Sequence, residues 1–319
     1  MSFNAFEQTP ERNSVALLTP TYERDLSLCA LLCDSVDHHA RSFSKHYLLV
    51  PDSDLALFSR FEGPQRTVLP ASQFLPRWLR PLPAIIRRQR RQHWWSLRAR
   101  PVSGWHIQQI LKIASAATLP HSRFCILDSD VVLFRDFDLA RFQAPQPLPL
   151  YWAPKGITSD HVRHARWIET THRLLGLTAP SLPAADFIGH IIFWDQPAVR
   201  RMIRKIESTT RRDWIEALCR TREFSEYLLY GYFVQNEADL FAMHAPSLQT
   251  GCISYWDEFK LDKAALVRLL GTATADDFAF SATSFSETPA ATIRDVIDQQ
   301  RPRPRSPVGL QGPAGLDVR

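Results

Sequence analysis

The sequence has no long apolar run. Among its 319 residues there is no stretch of the about 18 apolar residues that a membrane-spanning helix needs. Residues 1–12 are polar and lack the apolar core of a signal peptide. We therefore expect a cytoplasmic protein, either soluble or attached peripherally to the inner face of the cell membrane.

Cysteine is also scarce. The chain has five cysteines, an odd number without a repeating framework, which argues against a disulfide scaffold and favours reduced thiols. Cys29 and Cys33 lie four residues apart in a segment with helical spacing. Two small buried side chains are the favoured interpretation of this pair, ahead of a metal or redox site.

Two classes of motif are missing as well. No RNA- or DNA-binding motif accompanies the basic residues, so nucleic acid is not an expected partner. The loop that follows the first predicted strand, Thr19-Pro20-Thr21-Tyr22, contains no glycine. A nucleotidyltransferase would open with a glycine-rich loop at this place, and the absence of one counts against that class of enzyme.

The chain does have enough apolar sequence for a large core. With 45% hydrophobic and 22% charged residues, it is expected to form one large domain over residues 13–300. From residue 301 onward, proline, glycine and arginine recur without a pattern. Residues 301–319 are therefore expected to be a disordered tail.

Strand and helix patterns alternate along this domain. Strands are predicted at residues 14–19, 46–50, 68–69, 150–153 and 187–194, with one more leading into Asp128. Helices are predicted at residues 25–36, 106–117, 160–175, 198–209 and 223–233. This alternation is typical of an α/β fold with a mostly parallel sheet, whose ligands gather at the carboxyl ends of the strands. Thr19, Asp52 and Asp128 all lie at such ends.

Two carboxylates interrupt the apolar run at residues 125–134, which reads Cys-Ile-Leu-Asp-Ser-Asp-Val-Val-Leu-Phe. Side chains alternate along a strand, so Asp128 and Asp130 point the same way. Mg²⁺ and Mn²⁺ prefer oxygen ligands, with substrate phosphates and water completing the coordination. The pattern therefore indicates either a divalent-cation site or a polar turn between two core strands.

Much of the net charge of +5 comes from one segment, Arg77 to Arg100. It interleaves arginines with tryptophans and contains no acidic residue. Arginine pairs with phosphate and tryptophan prefers the headgroup layer of a membrane, so this segment could dock on an anionic leaflet or hold a phosphorylated substrate. A solvated helix face whose tryptophans are tucked inward is the alternative.

Several motifs in chain order resemble the nucleotide-sugar-binding half of a GT-A glycosyltransferase. They are Thr19-Pro20-Thr21-Tyr22, Asp52, a helix with Gln109 and Lys112, and Leu127-Asp128-Ser129-Asp130. Gly104-Trp105, Phe224-Ser225-Glu226-Tyr227 and Tyr230-Gly231 also resemble a poorly characterised group of bacterial transferase-like proteins from polysaccharide loci. The resemblance covers residues 14–257. It implies a GT-A, Rossmann-like fold with a nucleotide-sugar half at about 13–135 and an acceptor half at about 136–300.

The resemblance also implies roles for the matching residues. In GT-A enzymes, Mn²⁺ or Mg²⁺ neutralises the charge that builds on the leaving nucleoside diphosphate. Asp130 would bind this metal, and Asp128 would contact the metal, its bound water or the ribose. His244 would be the third metal ligand by its position, or else a loop histidine without that role. The further residues implied to bind a donor, UDP-sugar by analogy, are Thr19 and Pro20 in the nucleoside loop, Tyr22 and Asp52 at the base, Lys112 at the phosphate, and Gln109 and Tyr227.

On the acceptor side, an inverting enzyme needs one carboxylate as a general base. The resemblance offers Glu226, as base or sugar contact, and Asp186; structural burial beside Tyr227 and Tyr230 is the alternative for Glu226. The chain lacks the His-x-x-Gly-x-x-Lys-Pro-Trp tail of glycogenin-like enzymes, so inversion and retention both stay open. The leading hypothesis is a metal-dependent transferase that moves a sugar to a glycan or lipid-linked acceptor in surface polysaccharide synthesis. A nucleotidyltransferase and a non-catalytic, peripheral membrane-binding protein are the alternatives.

Overall fold

The computed structural model describes residues 11–82 and 93–300, so the expected tail at 301–319 lies outside the described residues. The helices are α1 Leu26–His39, α2 Leu55–Phe58, α3 Gly104–Thr118, α4 Val162–Leu175, α5 Gln196–Thr210, α6 Trp214–Cys219, α7 Glu226–Gln235, α8 Ala238–Phe241, α9 Lys263–Leu270 and α10 Ala290–Gln300. The strands are β1 Glu11–Pro20, β2 Ala40–Arg41, β3 His46–Val50, β4 Arg66–Pro70, β5 Arg80–Pro81, β6 His93–Trp95, β7 Val102–Ser103, β8 His121–Leu127, β9 Val131–Leu133, β10 Phe137–Asp138, β11 Leu148–Tyr151, β12 Ala153–Ile157, β13 Ala184–Asp186, β14 Ile191–Asp195, β15 His244–Ser247, β16 Cys252–Tyr255 and β17 Ala279–Ala282. In this part of the chain, no helix combines the length and the apolar character needed to cross a bilayer.

Five strands form the central sheet, in the order β14-β8-β1-β3-β4. The last four of these run parallel, and β14 is antiparallel to β8 at one edge. Leu18 of β1 pairs with both Tyr47 and Ile126, so the carboxyl ends of the parallel strands lie along one edge of the sheet. The prediction of an α/β fold with a mostly parallel sheet is confirmed.

Both faces of this sheet are buried, and the apolar side chains of each strand alternate between them. One core cluster contains Ala16, Leu18 and Ile126 together with residues of α3, α5 and α7. The other contains Leu17 and Cys125 together with residues of α1. Helices therefore cover the sheet on its two sides and leave its carboxyl edge to carry the polar residues.

Most predicted elements lie within a few residues of their expected positions, and two differ in kind. The segment at 150–153 belongs to two strands, β11 and β12, which pair with β15 and β13. The strand predicted at 187–194 begins only at Ile191, because Asp186 accepts a hydrogen bond from the Ile188 N–H at 3.0 Å and turns the chain. Cys29 and Cys33 are buried in a helix, in agreement with their interpretation as small core residues.

A second sheet, ordered β16-β17-β9, continues from the end of β8. In it β17 runs antiparallel to β9, with Ser281 opposite Val131, and β16 runs parallel to β17. Only residues 128–130 separate β8 from β9. The two predicted metal-binding aspartates therefore lie at the junction of the two sheets.

Helix α7 packs unusually close to the segment before β14. A Cβ atom on Gly231 would lie 2.1 Å from the Cγ of Phe187. This distance is a steric clash, so only glycine fits at this position. Glycine is otherwise unfavourable inside a helix. The Tyr230-Gly231 motif thus has a packing reason, since it lets α7 sit against Phe187 and brings its first residues to the sheet edge.

Candidate functional site

Lys112 lies at the centre of a buried polar cluster. Its Nζ is 2.7 Å from Asp128 Oδ1 and 2.8 Å from Glu226 Oε1, and it donates a hydrogen bond to the Tyr227 hydroxyl at 2.8 Å. The Tyr227 hydroxyl in turn donates to Asp128 Oδ2 at 3.4 Å. Asp128 follows β8, Lys112 lies within α3, and the other two residues begin α7. We call these four residues the Lys112 cluster.

The ammonium group of Lys112 has three N–H donors, and its three contacts use all of them. Burial alone would lower the pKa of Lys112, but Asp128 and Glu226 outweigh burial and hold that pKa well above its usual value. Lys112 therefore stays charged and has no N–H left for a substrate phosphate. The predicted phosphate contact stays a prediction, and the geometry shows that Lys112 fixes the positions of two carboxylates.

The start of α7 is fixed in the same way. Gln109 accepts a hydrogen bond from the Glu226 N–H at 3.1 Å, and Ser225 caps the helix by accepting from the Leu228 N–H at 3.4 Å. Burial raises the pKa of Glu226, although Lys112 opposes the effect. Gln109, which was predicted to contact the substrate, thus holds the first residue of α7 in position. Within the Lys112 cluster Glu226 is 5% exposed, whereas Asp128 is open to solvent with 31% of its side chain exposed.

Two more carboxylates lie beside this cluster. Asp130 is buried, and its oxygens accept hydrogen bonds from the Ser281 hydroxyl at 3.2 Å and the Ser284 N–H at 3.1 Å. Asp25, just before α1, accepts from the Ser129 hydroxyl at 3.3 Å. The carboxyl ends of β1 and β8 therefore bring Asp25 next to residues 128–130.

The negative charge of this group exceeds the positive charge beside it. Burial, Asp128 and Asp25 together raise the pKa of Asp130 to about 7. Burial also raises the pKa of Asp25 to about 6, against the effect of its hydrogen bond with Ser129. Within the described residues, Lys112 is the cation in hydrogen-bonding contact with this group of carboxylates. The raised pKa values show that folding places these carboxylates where their charge is unfavourable.

This excess of negative charge fits a divalent cation. In residues 11–82 and 93–300, no three His, Cys, Asp or Glu side chains are placed to hold a metal ion by themselves. Mg²⁺ is usually bound through one or two carboxylates together with substrate phosphates and water, without an all-protein cage. Asp128 and Asp130 therefore suit a cation that arrives with a phosphate-bearing ligand.

His190 lies on the other side of Asp128, at the edge strand. His190 directly precedes β14, whose first residue, Ile191, pairs with Leu127, the residue before Asp128. Its Nδ1 is hydrogen-bonded to the Ser254 hydroxyl at 2.8 Å. Its ring stacks on Trp256, with centroids 4.0 Å apart and planes 16° from parallel. Burial lowers the pKa of His190 to about 4, although Asp128 opposes the effect, so the ring is neutral near pH 7.

With this geometry in place, the chain can be compared with known proteins. A family model described as "Family of unknown function (DUF6492)" matches residues 14–299. The chain belongs to this family. The matched range includes the Lys112 cluster, Asp25, Asp130 and His190, so the whole group lies within the DUF6492 domain. No curated protein matches the chain.

His244 of the DUF6492 domain does not join the aspartates. Its Nδ1–H donates to the Leu240 carbonyl at 2.7 Å, and its Nε2 accepts from the Tyr230 hydroxyl at 2.9 Å. That hydroxyl also accepts from the Asp195 N–H at 2.9 Å. Because both ring nitrogens are used, His244 has no lone pair for a metal. The predicted role as a third metal ligand stays a prediction, and in this arrangement His244 ties α8 to α7.

The residues predicted to surround the nucleoside lie at the expected edge of the sheet, but two are buried. Thr19 is fully buried, and its hydroxyl contacts a histidine ring at 3.0 Å; Pro20 is buried at the end of β1. Asp52 is exposed after β3 and accepts hydrogen bonds from the N–H and the hydroxyl of Ser72. Tyr22 is half-buried in the loop after β1. Thr19 thus offers no surface to a nucleoside, whereas Tyr22 and Asp52 are accessible.

Asp186 lies apart from the Lys112 cluster. Burial raises the pKa of Asp186, while the N–H groups of Ile188 and Phe187 oppose the effect. No hydrogen bond or ion pair in the described part of the chain joins it to Lys112 or Glu226. Of the two predicted bases, only Glu226 therefore belongs to the cluster.

The basic segment is described in two parts, residues 77–82 and 93–100. Here β5, β6 and β7 form a small antiparallel sheet. Trp94 is buried, but Trp95 is 40% and Leu97 is 97% exposed, and the Arg98 guanidinium lies 5.4 Å from the ring centroid of Trp78. The surface thus presents apolar side chains among arginines, and its tryptophans are only partly tucked inward.

Three residues of the site were not predicted from the sequence. Asp25 had a usable signal, since it follows the first parallel strand and so belongs to the edge where ligands gather. His190 and Trp256 had none. They are far apart in the chain, and only the pairing of β14 with β8 and the position of β16 bring them to Asp128.

Proposed function

We propose that this DUF6492 protein is a metal-dependent glycosyltransferase that uses a nucleotide-sugar donor, with a UDP-sugar preferred by analogy. The observation that carries the proposal is the excess of carboxylates at the carboxyl edge of a parallel sheet, with the pKa of Asp130 raised to about 7 and that of Asp25 to about 6. Folding keeps this unfavourable charge in place, which is typical of a functional site. A divalent cation accompanying a nucleoside diphosphate would neutralise it.

Two observations favour this reading over the alternatives. The loop between β1 and α1 has no glycine and presents Asp25, whereas a nucleotidyltransferase needs a loop that cradles phosphates with its backbone N–H groups. A purely membrane-binding protein would gain nothing from buried carboxylates that oppose folding. Sugar transfer to a glycan or lipid-linked acceptor of surface polysaccharide is compatible with the loop that lacks glycine and gives the buried carboxylates a role.

Each part of the group has a place in this proposal. Asp128 and Asp130 would hold the Mn²⁺ or Mg²⁺, which when bound would stabilise the charge on the leaving diphosphate. Lys112 keeps Asp128 and Glu226 in position through its three hydrogen bonds. Glu226 is proposed as the base or sugar contact on the acceptor side, and Asp186 as a residue outside the reacting group.

Calorimetric titration of UDP with and without Mn²⁺, at pH 8, tests the donor site. We expect binding that requires the metal and that Asp130→Ala abolishes. Asp160→Ala, at an exposed aspartate, is the matched control and should bind as the wild type does. Metal-independent binding of UDP, or no binding of any nucleoside diphosphate, would contradict the proposal.

A screen of UDP-sugars for metal-dependent hydrolysis tests the chemistry and identifies the donor. With the active donor, Glu226→Gln should lower kcat by about 10²-fold or more if Glu226 is a general base, with the affinity for UDP unchanged. A change confined to KM would make Glu226 a sugar contact. Retention of full activity would exclude it from either role.

We also infer that the basic segment, residues 77–100, attaches the protein to an anionic membrane surface, which would hold it near lipid-linked acceptors. Exposed Trp95 and Leu97 suit the headgroup layer, and the arginines suit lipid phosphates. Sedimentation with vesicles should show binding that requires anionic lipid and weakens as salt increases. Equal binding to neutral vesicles would contradict this inference.

A further inference from the structure

Trp256 presents an exposed ring one side chain away from the carboxylates. One face of the indole packs on His190, with ring centroids 4.0 Å apart. His190 is 3% exposed and directly precedes Ile191, which pairs with the residue before Asp128. Trp256 itself is 53% exposed. A buried histidine therefore braces an indole ring whose remaining surface is turned to solvent beside the proposed reaction centre.

The strand order shows on which side of β8 the Trp256 ring lies. The loops predicted to bind the nucleoside follow β1 and β3, which lie on one side of β8 in the sheet. His190 precedes β14, which lies on the other side of β8. With the diphosphate at Asp128 and Asp130, Trp256 is placed across the reaction centre from the nucleoside, where an acceptor would approach.

The residues near Trp256 indicate what kind of ligand could bind to its exposed ring. Asp257 and Glu258 follow it in the chain and are both exposed, so a ligand carrying phosphate would be repelled here. A second exposed ring lies near Asp130, since Phe285 is 66% exposed and follows Ser284, whose N–H donates to Asp130. Apolar rings bordered by carboxylates and hydroxyls suit a ligand with apolar faces and a hydrogen-bonding rim.

We propose that Trp256, braced by His190, is the stacking surface for a neutral sugar ring of the acceptor. A pyranose has C–H faces that can lie on an indole and hydroxyls that can reach the polar rim, and it carries no charge that Asp257 and Glu258 would repel. This inference rests on the proposed function. It adds a specificity-determining residue that no motif of the sequence indicated.

Saturation-transfer NMR on the full chain tests the proposal with a panel of methyl glycosides of glucose, galactose, mannose and N-acetylglucosamine, in the presence of UDP and Mg²⁺. We expect at least one glycoside to receive saturation through its ring protons. Trp256→Ala should reduce that signal by about fivefold or more, and Trp256→Phe should retain most of it. Val267→Ala, at another exposed apolar side chain, is the control and should not change it. The affinity for UDP with Mg²⁺ should stay within about twofold in all three variants.

Three outcomes would overturn the proposal. One is an equal glycoside signal in the wild type and Trp256→Ala, and another is no signal from any glycoside with the wild type. The third is a loss of UDP affinity in Trp256→Ala, which would assign the ring to the nucleobase. If the wild type binds glycosides through Trp256 but no nucleoside diphosphate, the proposed function fails while the sugar contact at Trp256 stands.

Discussion

Two buried polar networks of this protein, one around Arg66 and one around Lys112, differ in their balance of charge. Arg66 donates to the carboxylate of Asp37 at 2.6 Å, to His46 Nδ1 at 3.0 Å and to the Cys33 carbonyl at 3.1 Å. Burial, together with Arg66, lowers the pKa of His46 well below its usual value, so this histidine is neutral. The Arg66 network therefore contains one cation and one carboxylate.

The Lys112 cluster contains one cation against the carboxylates of Asp128 and Glu226. Asp25 and Asp130 lie beside it with raised pKa values. A buried charge without a partner costs stability until a ligand supplies the opposite charge. The comparison supports the proposal that the Lys112 cluster and its neighbours bind a cation, whereas the balanced Arg66 network needs none.

The largest expected effect comes from Lys112→Met. Because Asp128 and Glu226 would lose their cation while remaining buried or half-buried, we expect the free energy of unfolding to fall by about 3 kcal/mol or more. Urea denaturation at pH 7 measures it. In Lys112→Met/Glu226→Gln one of the two charges is gone, and part of the loss should be recovered. Wild-type stability in the single variant would contradict the ionised state of the cluster.

A smaller effect is expected from Arg66→Met. This variant leaves His46 Nδ1 and the Cys33 carbonyl without their donor, but Asp37 is 58% exposed and can be solvated. We expect a loss of about 2 kcal/mol in the free energy of unfolding. The affinity for UDP with Mn²⁺ should be unchanged, whereas Lys112→Met should weaken it. A variant of Arg66 that loses UDP binding would break the distinction between the two networks.

The smallest effect, taken per pH unit, is a dependence of stability on pH. The folded protein holds a proton on Asp130 up to about pH 7, while an unfolded chain releases it near pH 4. Between these values the native state binds more protons, so its stability decreases as pH rises, by up to about 1.4 kcal/mol per pH unit from this group.

Asp130→Asn removes this contribution. Urea denaturation at pH 5, 6, 7 and 8 should give the wild type a steeper decline in stability than the variant, and at pH 8 the variant should be at least as stable as the wild type. Parallel curves would mean that Asp130 titrates near its usual pKa. Metal-dependent UDP binding, by contrast, should strengthen with rising pH, since a cation displaces the proton on Asp130.

The sequence predicted the members of the site better than their roles. Asp128, Lys112, Glu226 and Tyr227 do meet, because each stands at a strand end or on a helix that packs against that edge. The role of Lys112 as a bridge between two carboxylates was not predicted, because one of its partners, Glu226, lies 114 residues further along the chain. The hydrogen bond between His244 and the Tyr230 hydroxyl was not predicted either, since spacing along the chain does not show which side chains meet.

The alternation of strands and helices, the mostly parallel sheet and the edge where polar residues gather could be predicted from the chain alone, because apolar periodicity and turn residues act over a few neighbouring positions. The balance of charge at that edge, the burial of Thr19 and the stacking of Trp256 on His190 follow only from the folded structure. Charge and burial depend on all the side chains that surround a group, and those come from every part of the chain.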